Sequence, residues 1–529
     1  MHTFLDKHTL FTLLEQRFTE GEKKLKDIPN PALLHDAEKA AQKIAQAIKE
    51  KKHITLVGDY DVDGVSSTAI MVDFFRQIPY PLHAIIPNRF IHGYGVSPKL
   101  LETIQTDLII TVDNGISAKE AAIICKERGI ELIITDHHTP SEILPDAYAI
   151  VDPKLMACSY PFKEICGAQV SWLLLALVKK ELNLSINMAQ FLDILSIAII
   201  ADIMPLIDIN RTLVKEGLNL IMRSERPASI ILRDFLNKST ITSEDIAFMI
   251  APRLNSAGRL EDAKIALDFF LSQTTHEAYL GFERLSSLNE QRKQTEAEAT
   301  KEAITQVKKQ DEVGDIIVVA DYGWHEGVVG IVASRLVDTF GRPAIVLNIN
   351  DGIAKGSARS IGDVSIYSLI KANEHLLTKF GGHTMAAGLS LLANNIEEFR
   401  HAINKSAATI DAKDFIPKDK VLGIIQSDMI DFELLDILER FEPYGEANPR
   451  PSFLIKDAEI VSISLMGKEK SHSRISIRQA PHERKTLELI LFHHALEMPS
   501  DRKITCSYTI SKNEFNSKVS LQLLINKIY

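Results

Sequence analysis

Hydrophobic residues in the first third of the chain are concentrated in short runs that end in polar residues. The three clearest runs are 54–57, 108–112 and 132–135, which consist mainly of isoleucine, leucine, valine and threonine. Short runs of this kind, bounded by Gly, Asn and Asp and separated by helical patterns, are typical of buried parallel strands. The pattern therefore predicts an α/β domain with a parallel sheet.

Helical patterns flank and follow these strands. An amphipathic stretch over residues 31–51 predicts a helix ahead of the first strand, and a polar stretch from 275 to 311 predicts a long helix that joins two domains. The apolar run 194–200 is either a buried helix or a strand, because periodicity alone does not distinguish them.

A second α/β unit is predicted from the strand-like run at 316–320, and short β-rich runs after about residue 420 suit a small barrel. The expected fold class is therefore α/β, with a C-terminal β-barrel. The predicted domains are an N-terminal helical lead-in (1–50), a parallel-sheet domain (51–274), a connecting helix (275–312), a second α/β domain (313–412) and a barrel domain (413–529).

Acidic residues or histidines follow each of the three apolar runs. They are Asp59-Tyr60-Asp61-Val62-Asp63-Gly64, Asp113-Asn114-Gly115 and Asp136-His137-His138. Ligands of open α/β sheets bind beyond the carboxyl ends of the strands, so these side chains are expected to converge. Aspartate oxygens with imidazole nitrogens suit Mn²⁺ or Mg²⁺. Because close carboxylates repel, we expect two divalent cations, a pair suited to phosphodiester hydrolysis.

Composition limits the cellular setting. The four cysteines are too scattered for a zinc site or a disulfide framework, and no apolar run approaches the roughly 18 residues of a membrane span. The N-terminus also lacks the pattern of a signal peptide. The prediction is a cytoplasmic protein. The net charge of −10 includes the clustered aspartates, whereas basic residues outnumber acidic ones over 451–529.

These motifs resemble those of the DHH phosphoesterase superfamily, which is named after the sequence found here at 136–138. Residues 59–64 resemble the first motif of that superfamily, 113–115 the second and 201–206 the fourth. Within the superfamily, the chain is similar to the RecJ family of bacterial exonucleases that degrade single strands from the 5′ end. The supporting motifs are at 252–259, 324–330, 355–360 and 381–388.

The resemblance implies a DHH domain, a DHH-associated domain and an OB-like barrel, together with a set of site residues. The implied metal ligands are Asp61, Asp63, Asp113, Asp136, His137 and Asp202, with Asp113 bridging the two metals. Asp136 and His138 are alternatively groups that support a ligand or face the phosphate, and Asp59 orients a ligand or a water molecule. Asp113, His137 and His138 are the expected catalytic residues. Many relatives outside the exonuclease branch carry histidine where this chain has Val57.

The second half of the chain contains arginine residues that are candidates for binding phosphate. Arg253 and Arg259 flank a short stretch that contains Asn255, and Ser357 and Arg359 are expected in a loop with small neighbours. Arginine forks and exposed backbone N–H groups both suit phosphate oxygens. We predict that Arg259, Ser357 and Arg359 hold phosphates near a 5′ end and that His383 faces the scissile phosphate. Arg253 and Asn255 are further substrate-binding candidates.

The predicted function is release of mononucleotides from the 5′ end of single-stranded DNA, in recombination and repair. The resemblance implies a monomer whose partners are single-stranded DNA, single-strand-binding protein and a helicase, with no membrane. Two alternatives remain: a phosphodiesterase for oligonucleotides or cyclic dinucleotides, and a non-catalytic DNA-binding scaffold. The barrel-like C-terminus argues against the first alternative, and the full set of acids and histidines argues against the second.

Overall fold

The chain forms two compact units. The computed structural model describes residues 3–18, 21–89, 91–310, 313–417, 421–467, 470–480, 485–492, 494–515 and 518–529. The first unit comprises Met1–Ala251, Leu267–Tyr279 and Lys420–Tyr529, and the second comprises Pro252–Ala266 and Leu280–Asp419. Residues 1, 2, 19 and 20 of the predicted lead-in, and 311 and 312 at the end of the predicted connecting helix, lie outside the described residues.

A five-stranded parallel sheet forms the centre of the first unit. Its strands are β1 (Ile54–Val57), β2 (His83–Ile85), β3 (Leu108–Val112), β4 (Glu131–Thr135) and β5 (Ala149–Val151), in the order β2-β1-β3-β4-β5. All residues of β1 and β3 are buried, as expected of a parallel sheet covered on both faces. The strand order reverses between β1 and β3, and such a reversal leaves a crevice at the carboxyl ends of the strands.

Helices precede, connect and follow these strands. In chain order they are α1 (Lys7–Glu15), α2 (Ala37–Lys49), α3 (Val62–Arg76), α4 (Pro98–Leu101), α5 (Lys119–Glu127), α6 (Gly167–Glu181), α7 (Leu192–Ala201), α8 (Asp208–Arg223), α9 (Pro227–Leu236), α10 (Ser243–Asp245), α11 (Ala251–Leu260) and α12 (Lys264–Phe270). The apolar run at 194–200 lies in α7. It is apolar on every side because α7 packs between α3 and α8.

The second unit contains a mixed sheet. The long helix α13 (Thr275–Lys308) precedes it, as predicted. The strands are β6 (Ile317–Asp321), β7 (Ala344–Asn350), β8 (Ile353–Arg359), β9 (Lys379–His383) and β10 (Ala386–Leu392), in the order β6-β7-β8-β10-β9. Helices α14 (Val329–Phe340), α15 (Ile366–Ala372) and α16 (Ile396–Ala407) complete the unit.

The C-terminal region forms a barrel that belongs to the first unit. After β11 (Val421–Gly423) and α17 (Phe432–Glu439) come β12 (Ser452–Met466), β13 (His472–Arg478), β14 (Leu487–Leu491), β15 (Lys503–Phe515) and β16 (Lys518–Ile528). The order β12-β13-β14-β16-β15 is closed by pairing of β12 with β15. The predicted α/β fold class with a C-terminal barrel is confirmed.

The N-terminal segment is divided between two cores. Leu5, Leu10 and Leu14 are buried in the core of the barrel, and the backbone N–H of Leu5 donates to the oxygen of Ile424 over 2.9 Å. Helix α2 packs instead against α6 and β5 of the parallel sheet. Within the described ranges, no helix has the length and apolar character required to cross a bilayer.

Candidate metal centre

The first aspartates of the site follow β1, at the reversal of strand order. Asp59 is buried. Asp61 is the N-cap of α3, and its side chain accepts a hydrogen bond of 3.0 Å from the N–H of Gly64. Such a cap satisfies one of the free N–H groups at the start of the helix, which explains why an acidic residue suits this position. The strand end and the helix start together place both carboxylates at the crevice.

Asp63 lies at the N-terminus of a second helix. Its two carboxylate oxygens accept hydrogen bonds from the N–H groups of Gly167 (2.6 Å) and Ala168 (2.9 Å), the first residues of α6. The positive end of the helix dipole favours the charged carboxylate. A Cβ atom at Gly167 would lie 2.5 Å from the Cβ of Asp113, so the absence of a side chain permits this approach.

Asp113 follows β3 in a strained backbone conformation. Its φ is +61°, in the left-handed region that only Gly, Asn and Asp visit readily. The residue is almost fully buried. The left-handed turn redirects the chain as the strand ends, beside the first residue of α6.

His137 and His138 follow β4 and have different surroundings. Burial lowers the pKa of His137 to about 4, so its imidazole is neutral at neutral pH. Burial also disfavours the charged form of His138, but its hydrogen bond to Asp136 and the nearby carboxylates outweigh burial and raise its pKa to about 9. His137 is therefore suited to bind a metal, whereas His138 is a cation.

The carboxylate oxygens of Asp136 are engaged in several hydrogen bonds. It accepts from the N–H groups of Ile116 (2.9 Å), His137 (2.7 Å) and His138 (3.1 Å), and its Oδ1 lies 2.7 Å from Nδ1 of His138. Burial raises the pKa of Asp136, but its bonds to His138 outweigh burial and lower it. Among the described residues, Asp136 is not part of any group able to share a metal ion. Its geometry is that of a residue that orients His138.

Asp202 is the C-cap residue of the apolar helix α7, which places it at the carboxyl ends of the strands. The Nε2 atom of His137 lies 3.2 Å from Asp113 Oδ1, 3.5 Å from Asp202 Oδ2 and 3.6 Å from Asp63 Oδ2. A neutral imidazole cannot neutralise three carboxylates. The cluster therefore lacks positive charge at its centre.

Three overlapping groups of side chains could each hold a metal ion. Within each group, ligand atoms lie within 4.8 Å of one another. The groups are Asp59 with Asp61 and Asp113, Asp63 with His137 and Asp202, and Asp113 with His137 and His138. The atoms Asp59 Oδ1, Asp113 Oδ1, His137 Nδ1 and Asp202 Oδ2 are buried without a hydrogen-bond partner in the described structure. Asp113 belongs to two of the groups, which suits a bridging ligand.

The raised pKa values of the carboxyl groups show that their charged forms are unfavourable in this arrangement. Burial, and then repulsion by Asp63 and other neighbours, raises the pKa of Asp202 to about 9. Burial, and then repulsion by Asp63, raises the pKa of Asp113 well above its usual value. Burial, and then repulsion by Asp61, does the same to the pKa of Asp59. Burial and then Asp63 also raise the pKa of Asp61. Divalent cations would remove this cost, so the residues fit Mn²⁺ or Mg²⁺.

Sequence reasoning missed one acidic residue of this edge. Asp152 follows β5, is fully buried, and has an Oδ2 atom without a partner among the described residues. Burial raises its pKa to about 7. The apolar run Ala149-Ile150-Val151 before it is the same signal that identified the other strand ends.

The predicted substrate residues lie in the second unit, and their local structure differs from expectation. Ser357 and Arg359 are in β8, so the predicted loop is wrong. Residues 353–359 pair with β7 on one side and with β10 on the other. Arg253, Asn255 and Arg259 are in helix α11, where most backbone N–H groups serve the helix.

Arg359 is a partly buried cation. Its Nη1 donates to Ser357 Oγ (2.7 Å) and to the oxygen of Ala358 (2.8 Å), and burial lowers its pKa. Among the described residues no carboxylate pairs with it. Near the N-terminus of α14, a Cβ atom at Gly330 would lie 3.1 Å from Arg359 Nη2 and 3.2 Å from Ser357 Oγ. An arginine, a hydroxyl and a helix N-terminus are groups that suit an anion.

The other predicted substrate-binding residues lie in the same compact unit as Arg359, and one of them lies in the same row of its sheet. His383 on β9 and Arg359 on β8 both pair with Ala386 of β10, so the three residues share one row of the sheet. Residues in one row point to the same face. Arg259 donates to the oxygen of Gly327 (3.2 Å), and Arg253 donates to Ser286 Oγ (3.3 Å).

Comparison with known proteins identifies related families for each region. Three family models match: the DHH family N-terminal domain over residues 53–199, the DHHA1 domain over 293–409 and the RecJ OB domain over 423–527. The single-stranded-DNA-specific exonuclease RecJ of Haemophilus influenzae is 34% identical, and the match covers 97% of this chain and 94% of that protein. RecJ of Bacillus subtilis is 37% identical over 94% of this chain, which spans 64% of that relative's length.

Solved structures agree with these matches. RecJ from Thermus thermophilus in complex with Mn²⁺ superimposes with a TM-score of 0.79 at 28% identity, over 95% of this chain and 73% of that one. An exonuclease RecJ bound to manganese gives a TM-score of 0.62 at 34% identity, over 72% and 96% of the two chains. The similarity therefore extends across both compact units.

Replacing Asp202 with asparagine tests the electrostatic account. Because the pKa of Asp202 rises from 3.8 to about 9 on folding, the folded state retains a proton that the unfolded state has lost. Metal-free stability should therefore fall as the pH rises across this window. At pH 8 in chelator, Asp202→Asn should have a higher melting temperature than the parent, and Mn²⁺ should raise that temperature less than it raises the parent's.

Thermal unfolding followed by circular dichroism measures both effects. Asp234→Asn, at an exposed position on α9, is the control and should behave as the parent. Equal melting temperatures and equal Mn²⁺ shifts for the parent and Asp202→Asn would contradict the assignment.

Proposed function

This chain belongs to the RecJ family of single-stranded-DNA-specific exonucleases, and we propose that it releases mononucleotides from the 5′ end of single-stranded DNA. The observation that carries the proposal is the cluster of buried, unpartnered carboxylate oxygens around a neutral His137 at the carboxyl ends of β1, β3 and β4. Nothing but added positive charge makes this cluster favourable, and phosphodiester hydrolysis makes use of such charge.

The metal ligands follow from the groups described above. Asp59, Asp61 and Asp113 would hold one divalent cation, and Asp63, His137 and Asp202 would hold the other. Asp113 also belongs to the group with His137 and His138, which suits a ligand common to both ions. Mn²⁺ and Mg²⁺ are the candidate ions. When bound, such a pair lowers the pKa of water and stabilises negative charge on phosphoryl oxygens. The Asp63 carboxylate is oriented by its two hydrogen bonds from α6, and burial keeps His137 neutral and able to coordinate.

His138 acts on the phosphate directly. Its hydrogen bond to Asp136 keeps the ring protonated and fixes its orientation. A protonated imidazole that is partly exposed beside the metal ligands donates a hydrogen bond to a phosphoryl oxygen as charge develops there. Asp136 is a positioning residue in this scheme.

The anion site at Arg359, Ser357 and the start of α14 holds the phosphate nearest the 5′ end. A partly buried guanidinium that has no carboxylate partner within the described ranges is stabilised by a bound anion, so the site favours a phosphate. His383 lies in the same row of the sheet and faces the same ligand. Arg259, Arg253 and Asn255 of α11 contact the strand further along.

The remaining assignments follow from the family. The barrel is a platform for the single strand, and a dinucleotide substrate has no need of such a platform. We place the protein in the cytoplasm as a monomer that works in recombination and repair with single-strand-binding protein and a helicase. The domain boundaries at residues 50, 274, 312 and 412 remain predictions.

End-labelled DNA tests the proposed activity. With Mn²⁺, the intact chain should release labelled mononucleotides at once from long single strands labelled at the 5′ end, whereas a 3′ label should stay on long fragments until late. A duplex of the same sequence should be resistant. Asp113→Asn, which tolerates the same left-handed backbone, should lose at least about 100-fold in rate. Early release of the 3′ label, or binding without cleavage by both proteins, would contradict the proposal.

Arg359→Ala tests the anion site. Loss of the proposed guanidinium–phosphate contact should raise KM for a 5′-phosphorylated strand about tenfold or more, while Mn²⁺ affinity stays unchanged. Arg359→Lys, which keeps the charge but not the planar fork, should give an intermediate KM. Steady-state kinetics on strands with and without a 5′-phosphate measure the effect. A KM equal to that of the parent in both variants would rule out this role.

A further inference from the structure

A loop beside the metal centre is fixed by one buried side chain. The loop is 88–96, of which residue 90 is outside the described ranges. Asn114 is fully buried, its amide nitrogen donates to the oxygens of Val57 (3.0 Å) and Val112 (2.9 Å), and its amide oxygen accepts from the N–H of Val96 (3.1 Å). Asn114 thus joins the ends of β1 and β3 to the loop. The loop is positioned by the same strand ends that carry the aspartates.

Tyr94 projects from this loop toward the metal centre. Its hydroxyl oxygen lies 3.4 Å from the backbone oxygen of Asp113. Its ring packs edge-on against Tyr60 (centroids 6.1 Å apart) and against His138 (6.4 Å), and 46% of the residue is exposed. These contacts hold the ring on three sides and leave the remaining side open to solvent. Tyr94 therefore borders the cluster without being one of its metal ligands.

The hydroxyl of Tyr94 has an unusually poor hydrogen bond. Strong O–H···O bonds are about 2.7–2.8 Å long, so the 3.4 Å contact with Asp113 satisfies the donor only weakly. A phenol is protonated at neutral pH and has one proton to donate. A donor fixed in place, with a weak partner, is well prepared to bond a more negative oxygen that arrives later.

We propose that Tyr94 is a catalytic residue that donates a hydrogen bond from its hydroxyl to a non-bridging oxygen of the phosphodiester being cut, with Asn114 as its positioning residue. This inference rests on the proposed function. The charge on that oxygen increases as the phosphodiester is attacked, so the hydrogen bond is strongest in the transition state. The proton remains on the phenol throughout, and no covalent bond to Tyr94 forms.

Tyr94→Phe removes the hydroxyl and keeps the ring contacts with Tyr60 and His138. The expected result on a single-stranded oligonucleotide with Mn²⁺ is a fall in kcat of about 10- to 100-fold. KM and the calorimetric affinity for Mn²⁺ should stay within about twofold. Tyr148→Phe is the matched control. Tyr148 precedes β5 at the opposite end of the same sheet, and its ring contacts Lys39 and Lys43, which phenylalanine retains.

Sulfur substitution in the substrate distinguishes a hydrogen bond to the phosphate from a purely structural role of Tyr94, because a structural role would not change the relative cleavage rates of the two sulfur-substituted substrates. The two phosphorothioate diastereomers at the scissile position each replace one non-bridging oxygen with sulfur, a weaker acceptor. If Tyr94 bonds one of these oxygens, the rate ratio between the diastereomers should differ between the parent and Tyr94→Phe by several-fold. An identical ratio in both proteins would overturn the inference.

The outcomes separate the inference from the proposed function. An active parent with an equally active Tyr94→Phe variant overturns the inference and leaves the proposed function intact. Weakened Mn²⁺ binding by Tyr94→Phe, in proportion to its loss of rate, also overturns it, because the hydroxyl would then support the ligands. An inactive parent overturns the proposed function, and the inference falls with it.

Discussion

Repulsion among buried carboxylates at the end of the parallel sheet is the constraint on which the rest of this structure depends. Asp59, Asp61, Asp113 and Asp202 all have raised pKa values because they are buried beside one another, and neutral His137 does not compensate them. The fold tolerates this arrangement by reversing its strand order between β1 and β3 and by directing α6 at Asp63. Stability is thereby reduced at a place where divalent cations can restore it.

The two units supply opposite charges. The first presents carboxylates that cations would stabilise, and the second presents Arg359, a partly buried cation that an anion would stabilise. A nucleic acid substrate brings phosphates, and the metal ions bring positive charge, so substrate and cofactor together neutralise both sites. Family membership agrees with this reading. The clustered aspartates also contribute to the formal net charge of −10, and bound divalent cations would make that charge less negative.

Much of the site was predictable from the sequence because each strand is a short apolar run that ends in its functional residues. The same rule, applied to Ala149-Ile150-Val151, would have found Asp152. Residues whose roles depend on distant partners were harder. Asp136 has the chemistry of a metal ligand, but its oxygens are used by three backbone N–H groups and by His138. Burial of α1 in the barrel, and the row shared by His383 and Arg359, depend on contacts that local patterns do not encode.

The central claim is that two divalent cations share Asp113 in the buried cluster. Electron paramagnetic resonance of the intact chain titrated with Mn²⁺ tests this most directly, because two Mn²⁺ ions bridged by one carboxylate are magnetically coupled. The account predicts a coupled spectrum at two ions per chain, and in Asp113→Asn the loss of that coupling. An isolated six-line Mn²⁺ signal that saturates at one ion per chain would contradict the account.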